Sequence, residues 1–420
     1  MANMHLVIAT IGTRGDVQPY VVLGKELQAR GHTVTIATHA EHRELIVPHG
    51  LAHRATFGSF REMMNSEAGR RFLESGASPA RYLKAFRELF APVTRRWIEE
   101  ADAALADADA GVFYAAAISA IIAAEGRRLP FVTVAPHGAL PTRAFTMGLP
   151  KIPVVAGYVA RFGFGFLLDR IWEFDANVTE AHLRARGVTK RGPIWRDLVR
   201  RGVPHLHLFS EHVVPKPKDW PACAEILGYC FLDTPPTWQP PARLVDFLAS
   251  GPPPIYVGFG SMTGMQPEVL ANLTREALSQ AKQRAVIGMG WGSMRGFEGS
   301  DDTFVIDDVP HDWLFPRVAA VVQHCGAGTV AAALRAGRPI VGVPFFADQP
   351  TWAEQLHALG VAPPPVPKRK LTAGRLARAI TEVVSNPGYA ARAETIGAAI
   401  RAESGVKRAA DRVLHHLAPS

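Results

Sequence analysis

Short apolar runs rich in β-branched residues alternate along this chain with stretches whose apolar residues recur at helical spacing. That alternation constrains the fold more than any other feature. Residues 6–10 form the first run and residues 12–16 a turn. Val17, Tyr20, Val21, Leu23, Gly24 and Leu27 then recur at helical spacing over residues 17–30, ending at Gly31, and residues 33–37 form a second run. Two strands joined by a helix need a crossover connection, so they pair in parallel. Residues 110–114 and 131–135 read as further strands, and residues 81–106 and 118–126 as helices.

A Pro-rich stretch over residues 232–254, with Pro235-Pro236, Pro240-Pro241 and Pro252 to Pro254, interrupts the series and reads as a linker carrying a short helix near residues 243–249. Alternation then restarts. Strands are expected at residues 255–259, 285–289, 303–306, 319–323 and 340–343, and the stretch from Thr372 onward reads as helical. A chain of 420 residues exceeds one comfortable core. The expectation is an α/β protein of two Rossmann-like, doubly wound domains facing each other across a cleft. Its parts are residues 1–232, a linker at 233–254, and a second domain at 255–403.

Charge and cysteine content narrow the partners. The net charge of +8 favours an anionic partner, but the one short basic run, Lys368 to Lys370, is not of the nucleic-acid kind. Three cysteines, Cys223, Cys230 and Cys325, are too few and oddly spaced for a disulfide framework or a metal cluster. A chain that enters a strand directly carries no signal peptide in this reading, which points to the cytoplasm. The apolar stretch at residues 144–168 holds Lys151, Arg161 and prolines. It is a poor membrane span, though it leaves room for peripheral contact with the inner face of a membrane. A monomer or a homodimer is expected.

The sharpest local feature runs from Ala319 to Thr329: a strand, a small-residue turn at His324-Cys325-Gly326-Ala327-Gly328, and a helix from Val330. Gly326 and Gly328 let the backbone approach a ligand. Helix-start N–H groups favour a phosphate, and Thr329 and His324 can add donors. An empty tight turn would look the same. The context weighs against that. Ser261, Trp291, Asp348 and Gln349 follow other strands of the same domain, and ligands of such sheets bind outside the carboxyl ends of the strands. Trp291 suits stacking on a base or packing; Asp348 and Gln349 suit sugar hydroxyls or a helix start.

With Gly337-Arg338-Pro339 and Val343-Pro344-Phe345-Phe346-Ala347-Asp348-Gln349-Pro350, residues 324–329 resemble the donor signature of glycosyltransferase family 1. Gly12-Thr13-Arg14-Gly15-Asp16-Val17-Gln18-Pro19 and Val309-Pro310-His311-Asp312-Trp313-Leu314-Phe315-Pro316 resemble its branch of sterol glucosyltransferases and bacterial antibiotic or lipid glycosyltransferases. The resemblance covers both ends of the chain and is weaker over residues 57–221. It implies a GT-B fold, with acceptor bound by the first domain and donor by the second, and a final helix at 404–420 that returns to the first domain. It further implies that Ser261, His324, Gly328 and Thr329 meet the diphosphate, Val309 and Trp291 the base, and Asp348 and Gln349 the sugar. Cys325 stands where the family commonly has glycine.

The activity implied is inverting transfer of a hexose, glucose foremost, from a UDP-sugar or a dTDP-sugar to a lipophilic alcohol such as a sterol, polyketide, flavonoid or lipid. The nucleotide sugar is a co-substrate; no tightly bound cofactor and no metal are called for. The first loop has no histidine, and in this branch the Asp matching Asp16 is the usual base; helix capping is its structural alternative. His137, after the strand at 131–135, is the reserve base or a pocket wall. Arg14 orients Asp16, meets the diphosphate, or faces solvent. Met64, Phe90, His137 and Phe145 are acceptor-binding candidates among many apolar residues that core packing would also explain. A nucleotide-sugar epimerase and a non-catalytic partner protein of the same fold are weighed and disfavoured, the first by the Arg-Gly-Asp-Val-Gln-Pro loop and the second by the intact donor residues.

Overall fold

The computed structural model describes residues 3–74, 79–142, 144, 176–189, 193–260, 266–290, 293–346 and 348–418. The chain divides into two compact units, Met1–Glu211 with Pro215–Leu232 and Ser404–Ser420, and His212–Val214 with Asp233–Glu403.

The first unit is built on seven strands: β1 (His5–Ala9), β2 (Thr33–His39), β3 (Ala52–Thr56), β4 (Ala110–Tyr114), β5 (Phe131–Ala135), β6 (His205–His207) and β7 (Ala224–Ile226). Their order is β3-β2-β1-β4-β5-β6-β7, and each pairing is parallel. The order reverses between β1 and β4, which makes their carboxyl ends the switch point of the sheet. Helices α1 (Arg14–Ala29), α2 (Pro79–Ala104) and α3 (Ile118–Arg127) are among those that connect the strands. The stripe Val17, Tyr20, Val21, Leu23, Leu27 of α1 is fully buried, each large apolar side chain contributing about 1.5–3 kcal/mol. Gly24 lets α1 come close, since a Cβ there would lie 3.2 Å from Leu51 Cδ1 and 3.3 Å from Val34 Cγ1. Strands β3, β6 and β7 were not expected. Ala52–Thr56 is only half buried, and His205–His207 reads His-Leu-His, so neither presents an apolar run.

The second unit carries β8 (Ile255–Gly258), β9 (Ala285–Gly288), β10 (Thr303–Ile306), β11 (Val321–Gln323) and β12 (Ile340–Gly342), in the order β10-β9-β8-β11-β12 and parallel throughout. Here the order reverses between β8 and β11. Helices α4 (Pro267–Ala281), α5 (Ala327–Arg335), α6 (Gln349–Ala358) and α7 (Ala373–Ser385) alternate with and follow the strands. Ile255, Val257, Phe259, Ile287, Val322 and Val341 pack with Leu278, Leu376 and Ile380 in one core.

The last helix, α8 (Gly405–Leu417), belongs to the first unit. Ala409, Ala410, Val413, Leu414 and Leu417 enter its core. Gly405 sits so close that a Cβ would lie 2.3 Å from Tyr229 O. Arg412 holds both oxygens of Glu225 at 2.7 Å, and His416 Nε2 lies 3.0 Å from the same carboxylate. Among the described residues no helix is long and apolar enough to cross a membrane; residues 145–175 lie outside them.

Candidate active site

In the first unit the switch point between β1 and β4 gathers Asp16, Tyr114 and, from the end of β5, His137. Helix α1 begins at Arg14, with Thr13 as its N-cap, so Asp16 is the third helical residue and not the cap itself. Asp16 Oδ2 accepts from Thr13 N–H at 2.8 Å and from the Thr13 hydroxyl at 3.0 Å, the reciprocal bond of a capping box. Gly12 makes this possible. Its φ of +125° suits glycine, and a Cβ there would lie 2.4 Å from Asp16 Oδ2. The buried His42 lies 3.0 Å from Gly12 O through Nε2, which fixes the loop from below.

Asp16 Oδ1 lies 3.4 Å from the Tyr114 hydroxyl, which lies 2.9 Å from His137 Nε2. The structure therefore brings the two expected base candidates to one tyrosine. Tyr114 was not singled out in the sequence, where it ends an apolar strand, although position at a strand's carboxyl end is the signal that would have found it. Arg14 is exposed and donates to Gln18 Oε1 at 3.3 Å, along its own helix.

In the second unit, the switch point between β8 and β11 holds a cradle of glycines around His324. A Cβ on Gly260 would lie 2.9 Å from His324 Cε1, and one on Gly326 would lie 2.5 Å from His324 Nε2. Gly290, at the end of β9, backs the cradle, since its Cβ would lie 2.1 Å from Gly260 O. Gly260 and Gly290 have φ of +58° and +55°, which side chains rarely adopt. The imidazole is buried, and that burial pushes its pKa down to about 4, with the charge of His311 adding to the shift. It is neutral at pH 7 and carries one N–H. Its Nδ1 finds no protein partner. Helix α5 starts beside it, with Gly326 as N-cap, Gly328 exposed and Thr329 half-buried. The first N–H groups of a helix have no partner within it and suit an anion.

Cys325 has φ +66° and is completely buried, and that burial pushes its thiol pKa up. It is no nucleophile.

Asp348 and Gln349 both make contacts within the protein. Asp348 is the N-cap residue of α6 and accepts from Trp352 Nε1 at 2.9 Å. Gln349 is buried, its Oε1 accepting from Phe345 N–H at 2.9 Å and Phe346 N–H at 3.2 Å. Those two bonds tie the start of α6 back to Phe345 and Phe346. Val309 is buried before the short helix His311–Leu314. Ser261, Trp291 and the acceptor candidate Phe145 lie outside the described residues. Among the described residues no group of three or more His, Cys, Asp or Glu side chains is placed to hold a metal ion.

Of the acceptor candidates, Met64 and Phe90 are buried. Phe90 joins an aromatic cluster with Phe72, Phe86 and Trp97, ring centroids 4.4–6.1 Å apart. A small apolar cavity lies between the sheet and α2–α3, bounded by Ala9, Ile11, Ala37, Trp97 and Ala120. It has room for about one water molecule, too little for a lipophilic alcohol of any size.

A family model described as "Glycosyltransferase family 28 N-terminal domain" matches residues 6–135, and one described as "Erythromycin biosynthesis protein CIII-like, C-terminal domain" matches residues 299–413. The chain is similar to two sterol 3-beta-glucosyltransferases of Arabidopsis thaliana. UGT80A2 is 35% identical over 436 residues, 99% of this chain and 66% of that one. UGT80B1 is 31% identical over 429 residues, 99% of this chain and 69% of that one. A sterol 3-beta-glucosyltransferase of Cryptococcus neoformans is 31% identical over 99% of this chain, which spans 27% of that protein. Among solved structures, the glycotransferase of kitacinnamycin superposes with a TM-score of 0.72 at 21% identity, covering 99% of this chain and 100% of that one. The glycosyltransferase VinC, solved in complex with dTDP, gives 0.68 at 19% identity, covering 99% of each. At those identities the likeness shows the fold, GT-B.

Proposed function

The chain belongs to glycosyltransferase family 1, the nucleotide-sugar-dependent GT-B enzymes, and on that premise we propose that it moves glucose from UDP-glucose onto the hydroxyl of a lipophilic acceptor, a sterol 3β-hydroxyl first among them. The observation that carries the acceptor reading is similarity to sterol glucosyltransferases of 35% and 31% identity extending over 99% of this chain. The net charge of +8 suits a peripheral approach to an anionic membrane surface, where such an alcohol resides.

In this reading Asp16 is the general base. The acceptor O–H bond breaks and its proton passes to Asp16 Oδ1. The acceptor oxygen bonds to the anomeric carbon as the bond from that carbon to the diphosphate oxygen breaks, its electron pair leaving with UDP. A single displacement inverts an α-linked donor to a β-glycoside. The developing diphosphate charge falls to the N-terminus of α5, to Thr329 and to the neutral His324, whose unpartnered Nδ1 is suited to a ligand oxygen. None of these steps calls for a metal. Asp348, whose Oδ2 accepts from Trp352 Nε1, is proposed to hold sugar hydroxyls.

A second reading, a dTDP-deoxysugar donor, is favoured by the likeness to VinC with its bound dTDP. UDP-glucose and dTDP-glucose, each offered with cholesterol, a flavonol and a macrolactone aglycone, separate the two readings by product mass. The expected result is a β-linked cholesteryl glucoside from UDP-glucose. Use of the dTDP donor alone would favour the second reading, and an α-linked product would exclude inversion.

A further inference from the structure

Tyr114, the last residue of β4, stands between the two candidate bases. Its hydroxyl lies 2.9 Å from His137 Nε2 and 3.4 Å from Asp16 Oδ1, and His137 Nδ1 lies 3.2 Å from Gly138 O. Three contacts need three hydrogens. A carbonyl cannot donate, so the hydrogen of a neutral imidazole belongs on Nδ1, toward Gly138, a tautomer assigned from the network. His137 Nε2 is then an acceptor. The Tyr114 hydroxyl, a donor to Asp16 Oδ1, has one hydrogen to serve both Asp16 Oδ1 and His137 Nε2. With Asp16 a carboxylate and one hydrogen on the imidazole, three contacts share two hydrogens, and the path has room for one more.

Resting on the reading of Asp16 as base, we propose that Tyr114 is a positioning residue through which the proton taken from the acceptor is handed to His137. Both donors of Thr13 hold Asp16 Oδ2. A proton arriving on the carboxyl group therefore has its place on Oδ1, toward Tyr114. The Asp16 O–H then gives that proton to the Tyr114 oxygen while the Tyr114 O–H passes its own to His137 Nε2. The products are a carboxylate ready for the next cycle, an intact tyrosine and an imidazolium. Three hydrogens now fill the three contacts. The half-buried His137 releases the proton to water, so no further reactant is needed. Tyr114 is suited to hold a fixed position. It is buried, and its ring packs 6.0 Å from that of Tyr20, whose own hydroxyl donates to Val134 O at 2.8 Å.

The test uses the full chain with UDP-glucose, with cholesterol in micelles or water as acceptor, and reads UDP release. Tyr114→Phe and His137→Gln should each lower kcat by roughly 10- to 100-fold, leaving the KM for UDP-glucose within about twofold. The double variant should be no slower than the slower single, because both cut one path. A merely structural hydroxyl would give additive losses, or a loss in melting temperature or KM alone, and any of these overturns the proposal. So does a wild-type kcat for Tyr114→Phe. If Tyr114→Phe folds poorly, 3-fluorotyrosine at position 114 keeps ring and hydroxyl; a relay shifts the pH profile of kcat, and an unchanged profile overturns it. Asp16→Asn separates the two failures. Turnover near wild type would remove Asp16 as base and the relay with it. Loss of turnover there, with Tyr114→Phe at wild-type kcat, would remove the relay alone.

Discussion

The two units place their candidate chemistry at the same topological point and build it by opposite means. In the first, the switch point between β1 and β4 is filled by long side chains from the start of α1, the end of β4 and the loop after β5, Asp16, Tyr114 and His137, joined by hydrogen bonds. In the second, the switch point between β8 and β11 is cleared by Gly260, Gly290 and Gly326 so that one imidazole and a helix start stand against bare backbone. The difference follows the tasks proposed for them. A proton must be passed along groups that donate and accept. A diphosphate needs N–H groups that stay put, which backbone supplies without side-chain reorganisation. Substitutions in the first unit should therefore act on turnover, and those in the second on donor affinity.

The largest expected effect breaks the first side. Asp16→Asn keeps the volume and a hydrogen-bonding oxygen for Thr13 but cannot take a proton. We expect kcat to fall by about 10³–10⁴-fold, at the upper end for a general base. UDP affinity by calorimetry should stay within about twofold. Turnover near wild type would remove Asp16 from the mechanism. The mirror experiment is Gly326→Ala. Its φ of −67° accepts alanine, so the added methyl acts through space, 2.5 Å from His324 Nε2. Displacing the ring should weaken UDP binding by about 10- to 100-fold, roughly 1.4–3 kcal/mol. An effect on kcat with unchanged UDP affinity would erase the distinction between the two half-sites.

That distinction also governs what the sequence could reveal. The cradle is contiguous in the chain, strand then His324 to Thr329 then helix, because backbone chemistry is local. The base site is not local. Tyr114 meets Asp16 across 98 positions and His137 across 23. Tyr114 closes the run Ala-Gly-Val-Phe-Tyr, and all five of those residues are buried. A parallel strand covered on both faces has no alternation to mark which residue faces a ligand. Asp16 was legible as a loop acid, but the start of α1 was placed three residues late. The capping box needs Thr13 and Asp16 read together, and Pro19 obscures the helical pattern. Gln349 reads as a sugar ligand or part of a helix start; the bonds that tie its Oε1 to Phe345 and Phe346 depend on a loop turning back on itself, which composition does not encode. Strands β6 and β7 have three residues each, too short for any periodicity to register.

Acid should find the two units unequal, a smaller effect than either substitution. Burial pushes His205 down to about 4 and His207 to about 3 in the first unit, and His324 to about 4 in the second. Each folded value lies below the ordinary histidine value, so the unfolded chain binds the extra proton. The stability they support is complete above about pH 6.5 and is lost as pH falls toward the folded values, at most about 1.4 kcal/mol per pH unit for each histidine. Burial also lowers His32, His39, His49, His53 and His182 in the first unit, so its lowered histidines outnumber the second unit's His324 and make its acid limb steeper. Calorimetry from pH 7 to pH 4.5 checks this: His207→Gln should flatten the first transition, and His324→Gln the second. Parallel shifts of both transitions with either variant would contradict the assignment.

The smallest effect expected is at Cys325. Its φ of +66° costs a residue with a Cβ roughly 1–2 kcal/mol, which glycine would recover. Glycine would give back about 0.5–1 kcal/mol in chain entropy. It would also empty the space where the thiol packs, so close to Gly342 that a Cβ there would lie 2.9 Å from Cys325 Sγ, a loss of about 1–2 kcal/mol. The terms oppose, so Cys325→Gly should shift the denaturation midpoint by no more than about 1 kcal/mol. Donor affinity and kcat should be those of the wild type, because His324 is held by Gly260 and Gly326 and not by the thiol. With its pKa raised by burial, Cys325 should also resist alkylation in the folded protein. Rapid labelling with loss of UDP binding would mean that the cradle opens in solution, and the contrast between a fixed backbone site and a mobile proton path would no longer hold.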